Sequence, residues 1–197
     1  MLAASANATT VNYTTNSPLT EFVAGINSLT LNSTGGQAAT LTFVPNTTSG
    51  TGVPSNINLG DFLLVCPTCT TTQTTIFSSF TFDLVVNDTT DGATGEFIGT
   101  SIGGVVSSTS STVQINWQNP LKMGPGTNNI LTGNFKSTYF DMVSPTSLVV
   151  APNSGTPPGD TTIQGQVGSI PEPATVGMIG GSLIGLALLR LKKRSRA

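Results

Sequence analysis

The sequence contains no histidine, few charged residues and only two cysteines. Without histidine there is no Ser-His or Cys-His catalytic pair and no histidine ligand for a metal, and two cysteines alone cannot complete a zinc site. The acidic residues are scattered and no catalytic motif surrounds any of them. We therefore expect no enzyme, no metal and no cofactor, although a glycosidase with two carboxylates assembled only by the fold stays open.

Positive charge is also scarce in most of the chain. Of the seven Lys and Arg residues, five lie after residue 189, so the first 170 residues keep only Lys122 and Lys136 against eight of the nine acids. That part carries a formal charge of -6, and the remainder brings the whole chain to -2. Such a surface has no basic patch for nucleic acid or for anionic lipid headgroups.

The last 28 residues have a different composition. They form three parts in a fixed order: Pro171-Glu172-Pro173, an uncharged apolar run at 174–189, and a basic end with Arg190, Lys192, Lys193, Arg194 and Arg196. As a helix, the uncharged run spans about 24 Å at 1.5 Å per residue, slightly short of a bilayer core of about 30 Å. If Arg190 snorkels, the span extends further. We predict a transmembrane helix at about 174–191.

The flanks of this helix predict its orientation. The two prolines cannot continue a helix upstream, so it should begin near Ala174. The basic end, 190–197, should stay in the cytoplasm and leave the preceding chain outside. Gly177, Gly181 and Gly185 recur at every fourth position, which would place them on one helix face where another helix could approach closely.

The three-part tail closely resembles the PEP-CTERM sorting signal of Gram-negative bacteria. The resemblance implies recognition by exosortase, an integral membrane transpeptidase-like enzyme, with Pro171, Glu172 and Pro173 as recognition residues and cleavage at or close to them. It also implies delivery to the cell envelope or to an exopolysaccharide matrix, with a role in biofilm formation. The alternative is a carbohydrate-binding module on a permanent single-pass membrane anchor.

Three regions follow from this reading. Residues 1–8 contain two A-x-A patterns, Ala4-Ser5-Ala6 and Ala6-Asn7-Ala8, and we interpret them as the remnant of a signal peptide. The alternative is a small-residue N-terminus with no such meaning. Residues 9–168 form one domain, and 169–197 form the sorting signal.

The domain should be all-β. Short segments of alternating apolar and polar residues are separated by Gly, Pro and Asn, and no stretch before Ala174 shows a useful helical apolar stripe. We predict nine or ten short strands in a single antiparallel β-sandwich of jelly-roll type. The predicted strands include segments around Leu29–Leu31, Ala39–Phe43, 96–102, 130–135, 138–143, 147–150 and 161–167.

Two strands have the clearest pattern. In the segment 76–86, residues Ile76, Phe80, Phe82, Leu84 and Val86 should face the core. In 112–118, Val113, Ile115 and Trp117 should point inward. The alternative for Trp117 is a platform for a sugar ring, but its phase with Val113 and Ile115 favours burial.

Two further motifs have a structural and a chemical interpretation. Cys66-Pro67-Thr68-Cys69 is a C-x-x-C motif that, in an oxidising compartment, favours a small disulfide over a redox site, because no helix is predicted after Cys66. Free thiols remain a further alternative. The acidic segment 87–96 offers Asp88, Asp91 and Glu96 as calcium ligands, but its spacing departs from an EF-hand and a hairpin turn is favoured.

Overall fold

A computed structural model of the protein describes residues 10–16, 29–152 and 160–170. This part is all-β and its strands pair antiparallel, which confirms the predicted class. Within these ranges no helix is long and apolar enough to cross a membrane. The predicted transmembrane helix, at about 174–191, lies outside the described residues, as do the sorting motif, the glycine face and the basic end.

Fifteen strands are present in the described part, more than the nine or ten predicted, because several contain only two or three residues. They are β1 (Thr10–Asn16), β2 (Leu29–Asn32), β3 (Gly35–Gly36), β4 (Thr40–Val44), β5 (Thr47–Gly52), β6 (Ser55–Val65), β7 (Thr75–Phe77), β8 (Thr81–Asp88), β9 (Ala93–Val106), β10 (Gln114–Trp117), β11 (Lys122–Met123), β12 (Ile130–Thr132), β13 (Thr138–Met142), β14 (Ser147–Val149) and β15 (Thr161–Ser169).

The strands form two sheets. One has the order β14-β10-β9-β8-β1-β5, with β7 and β12 also paired to β9 and β3 paired to β7. The other has the order β11-β13-β15-β6-β4-β2. In the six-stranded sheet, β15 lies between β13 and β6, so the last described strand is held on both sides.

Aromatic side chains from both sheets meet in one core. Phe82 of β8 lies with its ring centroid 5.0 Å from that of Phe43 and 4.9 Å from that of Phe62, two residues of the six-stranded sheet. Tyr13 of β1 packs edge-on against Phe140 of β13 at 5.7 Å. All five side chains are at most 1% exposed. Edge-to-face ring pairs add to the free energy gained by burying these large apolar surfaces.

The long strand β6 was not predicted, because its alternation of apolar and polar residues breaks in the middle. Ile57 and Leu59 are buried before the break, and Phe62 and Leu64 after it. Gly60 lies between them with φ of 130°, a conformation open to glycine and strained for other residues. A bulge of this kind moves the apolar residues from odd to even positions, so a search for strict alternation fails here.

The predicted strand 76–86 was wrong in its first half. It is two strands, β7 and β8, which both pair with β9. Ile76, predicted to face the core, is 52% exposed, and Phe77 is buried in its place. The alternation changes phase where Ser78, Ser79 and Phe80 leave the strand. Phe82, Leu84 and Val86 are fully buried, as predicted.

Candidate functional site

The last residues of the domain that the structure describes are Ser169 and Ile170, which we call the tail root. Ser169 is the last residue of β15 and pairs with Thr138 of β13. The backbone N–H of Ile170 donates a hydrogen bond of 2.8 Å to the carbonyl oxygen of Ser137. The predicted motif Pro171-Glu172-Pro173 therefore follows directly after the last described hydrogen bond to the domain.

The carboxylate of Asp91 forms hydrogen bonds with residues 136–138, the segment to which the tail root is bonded. Asp91 lies in the turn between β8 and β9 and accepts hydrogen bonds from the backbone N–H groups of Lys136, Ser137 and Thr138, at 2.8, 2.9 and 3.2 Å. The hydroxyl of Ser137 donates to its second oxygen at 2.6 Å. A carboxylate that accepts several N–H and O–H groups is a strong fixing point for a backbone segment. We call this arrangement the Asp91 clamp.

Asp88 supports the same segment from a more buried position. Its carboxylate accepts from the backbone N–H groups of Thr90 and Asp91 and from the Thr138 hydroxyl, and the residue is fully buried. Burial raises the pKa of Asp88, and the bond from Thr138 offsets part of this rise. Burial would also raise the pKa of Asp91, but the hydrogen bonds from Ser137, Lys136 and Thr138 outweigh it and lower the pKa below its ordinary value.

The three acids considered as calcium ligands are not brought together. Asp88 is the last residue of β8 and Asp91 lies in the hairpin turn, whereas Glu96 belongs to β9. Burial raises the pKa of Glu96, and the nearby negative charge of Asp83 adds to the rise. Within the described ranges, no group of three or more potential metal-binding side chains occurs. The segment is a hairpin turn, as favoured from the sequence, with its two aspartates used in internal hydrogen bonds.

We expect Asp91→Asn to lower the free energy of unfolding by about 1 to 3 kcal/mol near neutral pH, because hydrogen bonds to a charged acceptor are stronger than neutral ones. The folded pKa of Asp91 lies below its ordinary value. Its carboxylate therefore stabilises the fold fully above the unfolded pKa, and this contribution is lost as pH falls through the folded pKa. Urea unfolding of wild type and variant at a series of pH values should show their difference shrinking in acid.

Asp83→Asn is the matched control for this prediction. Burial raises the pKa of Asp83, so its charged form is disfavoured in the folded state and the substitution should cost nothing near neutral pH. Equal destabilisation by the two changes, or an Asp91→Asn effect that does not depend on pH, would contradict the clamp.

The role of Asp91 was not predicted from the sequence. The run Asn87-Asp88-Thr89-Thr90-Asp91-Gly92 indicates a turn, and the structure has one. The groups that Asp91 binds lie about 45 residues further along the chain, in a segment with no distinctive composition. Local sequence signals contain no information on such a pairing, which only the strand topology creates.

A cavity of about 330 Å³ lies beside the tail root. It is lined by Lys122, Gly124, Pro125, Thr127, Tyr139, Ser169 and Ile170. The Nζ atom of Lys122 lies 3.8 Å from the centre of the Tyr139 ring and 4.0 Å from the carboxylate of Asp141. One of the two basic residues of the domain thus lies next to the point where the tail begins.

Cys66 and Cys69 are joined by a disulfide bond, with their Cα atoms 5.3 Å apart. The N–H of Cys69 also donates to the carbonyl oxygen of Cys66 at 3.3 Å, which closes a tight turn. No helix follows Cys66, and the next strand is β7. This agrees with the predicted structural disulfide, and a loop this short adds about 2 kcal/mol or less to stability in the chain-entropy account.

Thiol labelling tests this bond directly. When the purified protein is unfolded without reductant, we expect no free cysteine, because the chain contains no cysteines other than Cys66 and Cys69. The same sample after reduction should label at both positions and serves as the control. Complete labelling of both thiols before reduction would exclude the disulfide.

Trp117 is a core residue and offers no platform for a sugar ring. It is 7% exposed, and its ring packs edge-on against Phe82 with centroids 5.9 Å apart. Val113 and Ile115, predicted on the same face, are fully buried. The inward phase of this strand is confirmed.

The described residues thus form an all-β domain whose last strand, β15, ends at Ser169. Comparison with protein families identifies the PEP-CTERM protein-sorting motif at residues 169–194. That range begins at the tail root, so the chain carries a PEP-CTERM sorting motif at this end. Searches of curated proteins and of solved structures gave no match. The motif supports an exported protein that exosortase sorts to the cell envelope.

Proposed function

We propose that this protein is a component of the bacterial envelope or of an exopolysaccharide matrix, placed there by exosortase, and that it contributes to biofilm formation. The match to the sorting motif at residues 169–194 carries this proposal. The domain before the tail is acidic, with eight acids against two lysines, so nucleic acid and anionic membranes are poor partners for it. In this proposal the domain is a structural or binding domain and not an enzyme.

The tail acts in two stages in this proposal. The segment 174–191 spans the inner membrane as a helix with its basic end in the cytoplasm, and Gly177, Gly181 and Gly185 form a face on which an enzyme helix could pack. Pro171, Glu172 and Pro173 then lie at the outer boundary of the membrane. Exosortase takes this extended segment and cleaves at or close to it, so that membrane attachment is transient.

The fold of the domain before the tail is consistent with a stable extracellular domain. We propose that the two sheets form a jelly-roll-like β-sandwich, supported by the ring contacts of Phe82 with Phe43 and Phe62 across the core. The disulfide Cys66–Cys69 suits an oxidising compartment. The tail root is fixed by Ser137 and the Asp91 clamp, so the motif starts from a defined point on the domain.

The proposal is tested by expressing the protein, behind a functional signal peptide, in two strains of one host that differ only in the exosortase gene. The strain with exosortase should release a trimmed protein from the inner membrane, and the deletion strain should retain the full-length chain there. Identical trimming in both strains would show that another protease removes the tail. Full-length protein in the membrane of both strains would favour the alternative, a permanent anchor.

A further inference from the structure

A cleft of about 300 Å³ opens on the outer face of the six-stranded sheet, where β6 and β15 lie side by side and β13 ends. We call it the amide cleft. The side chains that line it include Asn56, Asn58, Thr162, Gln164 and Val143. Its size is at the lower end of the range for ligand sites in proteins, about 300 to 1,000 Å³. One of its two main strands, β6, was not predicted from the sequence.

The strand pairing beside the cleft is irregular. The register between β15 and β6 shifts between Thr162 and Gln164, and Gly60 takes a positive φ in β6. At the end of β13, the N–H groups of Val143 and Ser144 both donate to the carbonyl oxygen of Gln164, at 2.9 and 3.0 Å. Bulges re-aim side chains and are frequent next to functional sites.

The polar lining divides into a fixed part and a free part. Asn58 is fixed: its Nδ2 donates to Asp61 at 3.0 Å and its Oδ1 accepts from the N–H of Gly60. The Thr162 hydroxyl donates to the same Asp61 carboxylate at 2.7 Å. Asn56 and Gln164 are exposed, and within the described part of the chain neither side-chain amide has a hydrogen-bond partner. Each free amide offers two donors and one acceptor to a ligand.

The chemistry of the lining selects a class of ligand. Sugar hydroxyls both donate and accept hydrogen bonds, so they match primary amides in either direction. Val143, 53% exposed, offers an apolar surface for the C–H face of a sugar ring. No lining residue is cationic, Asp61 lies directly beside the cleft, and residues 1–170 carry -6, which disfavours a polyanion.

We propose that the amide cleft binds a short stretch of an uncharged polysaccharide through Asn56 and Gln164. This inference rests on the proposed matrix role and specifies its ligand class. It gives the domain a defined contact with the matrix that is independent of the sorting tail.

The test uses the full-length protein in detergent and titration calorimetry with three probes: dextran, N-acetylglucosamine oligomers, and polygalacturonate as the anionic probe. We expect binding to at least one neutral probe and none to polygalacturonate. The double variant Asn56→Ala, Gln164→Ala should weaken neutral binding roughly tenfold, as expected for the loss of two modest hydrogen bonds. Both residues are exposed, so thermal unfolding of the variant should match wild type.

Asn116→Ala is the matched control. Asn116 lies on β10 in the other sheet, outside the amide cleft, and its side chain has no hydrogen-bond partner among the described residues. The Asn116→Ala variant should bind like wild type.

Three results would overturn the inference: binding by the double variant equal to that of wild type, a preference for polygalacturonate, or no binding to either neutral probe. Trimming by exosortase is measured separately. A protein that is trimmed but binds no glycan contradicts glycan binding by the amide cleft and leaves the proposed sorting intact. A protein that binds glycan but is not trimmed contradicts the proposed sorting and leaves the cleft proposal intact.

Discussion

Phe82→Ala is expected to lower the free energy of unfolding by about 3 to 5 kcal/mol, the range for truncating a large core side chain. Phe82 is fully buried and contacts Phe43 and Phe62 across the core, and Trp117 within its own sheet. The truncation removes apolar burial and all three ring contacts, and leaves a cavity that a rigid sheet fills poorly. Guanidinium unfolding should show a lower midpoint with an unchanged slope.

Thr81→Ala is the control one residue away. Thr81 is exposed and belongs to the same strand, so its truncation should change stability by no more than about 0.5 kcal/mol. The contrast between neighbours tests the inward phase of β8 and the shared core together. If both variants lost the same amount, the assigned face of this strand would be wrong.

Changing Pro171, Glu172 and Pro173 to alanine is expected to abolish trimming in an exosortase-containing host. The apolar segment and the basic end are unchanged, so insertion into the inner membrane should still occur. The triple variant would therefore remain full-length in the inner-membrane fraction while wild type is released. The expected effect is a near-complete loss of processing, with little change in the amount of protein inserted.

Pro157→Ala with Pro158→Ala provides the control for this experiment. These prolines lie in the same chain but outside the matched range 169–194. The double variant should be trimmed like wild type, which separates loss of the recognition motif from a general effect of removing proline. Normal trimming of the triple variant would show that these three residues are not the signal.

The parts of the fold that follow local periodicity were predictable. In Thr81–Asp88 and Gln114–Trp117 the core-facing residues recur at every second position, and Phe82 and Trp117 are buried as expected. Val85, between two core-facing residues of the first strand, is buried as well. The cysteine pair was also predictable, because two cysteines three residues apart in an exported chain have few alternatives. In each case a short-range rule determined the result.

The parts that depend on bulges and long-range pairing were not predictable in the same way. Gly60 shifts the alternation within β6, so the longest strand of the second sheet had no clear period. Ile76 was assigned to the core because the interruption at residues 78–80 was treated as part of one strand. The Asp91 clamp and the amide cleft each join strands far apart in the chain, which no local pattern specifies.

The chemical class of the tail was clear from the sequence because its evidence is compositional. The tail can be recognised without tertiary structure, because its signal consists of a motif with two prolines, an uncharged segment and a basic end. The family match at 169–194 confirms that it is a PEP-CTERM sorting motif. The structure adds the position of the tail root on the domain. Any function of the domain beyond sorting depends on the chemistry of its surface. The proposed ligand site at Asn56 and Gln164 could not be predicted from the sequence, because the two residues come together only through the pairing of β6 with β15.

Intact-mass spectrometry of the protein released by an exosortase-containing host tests the central claim most directly. The account predicts one mature species whose C-terminus lies at or close to Pro171-Glu172-Pro173 and which lacks the apolar segment and the basic end. A released or membrane-bound protein that still ends at Ala197 would contradict sorting by exosortase.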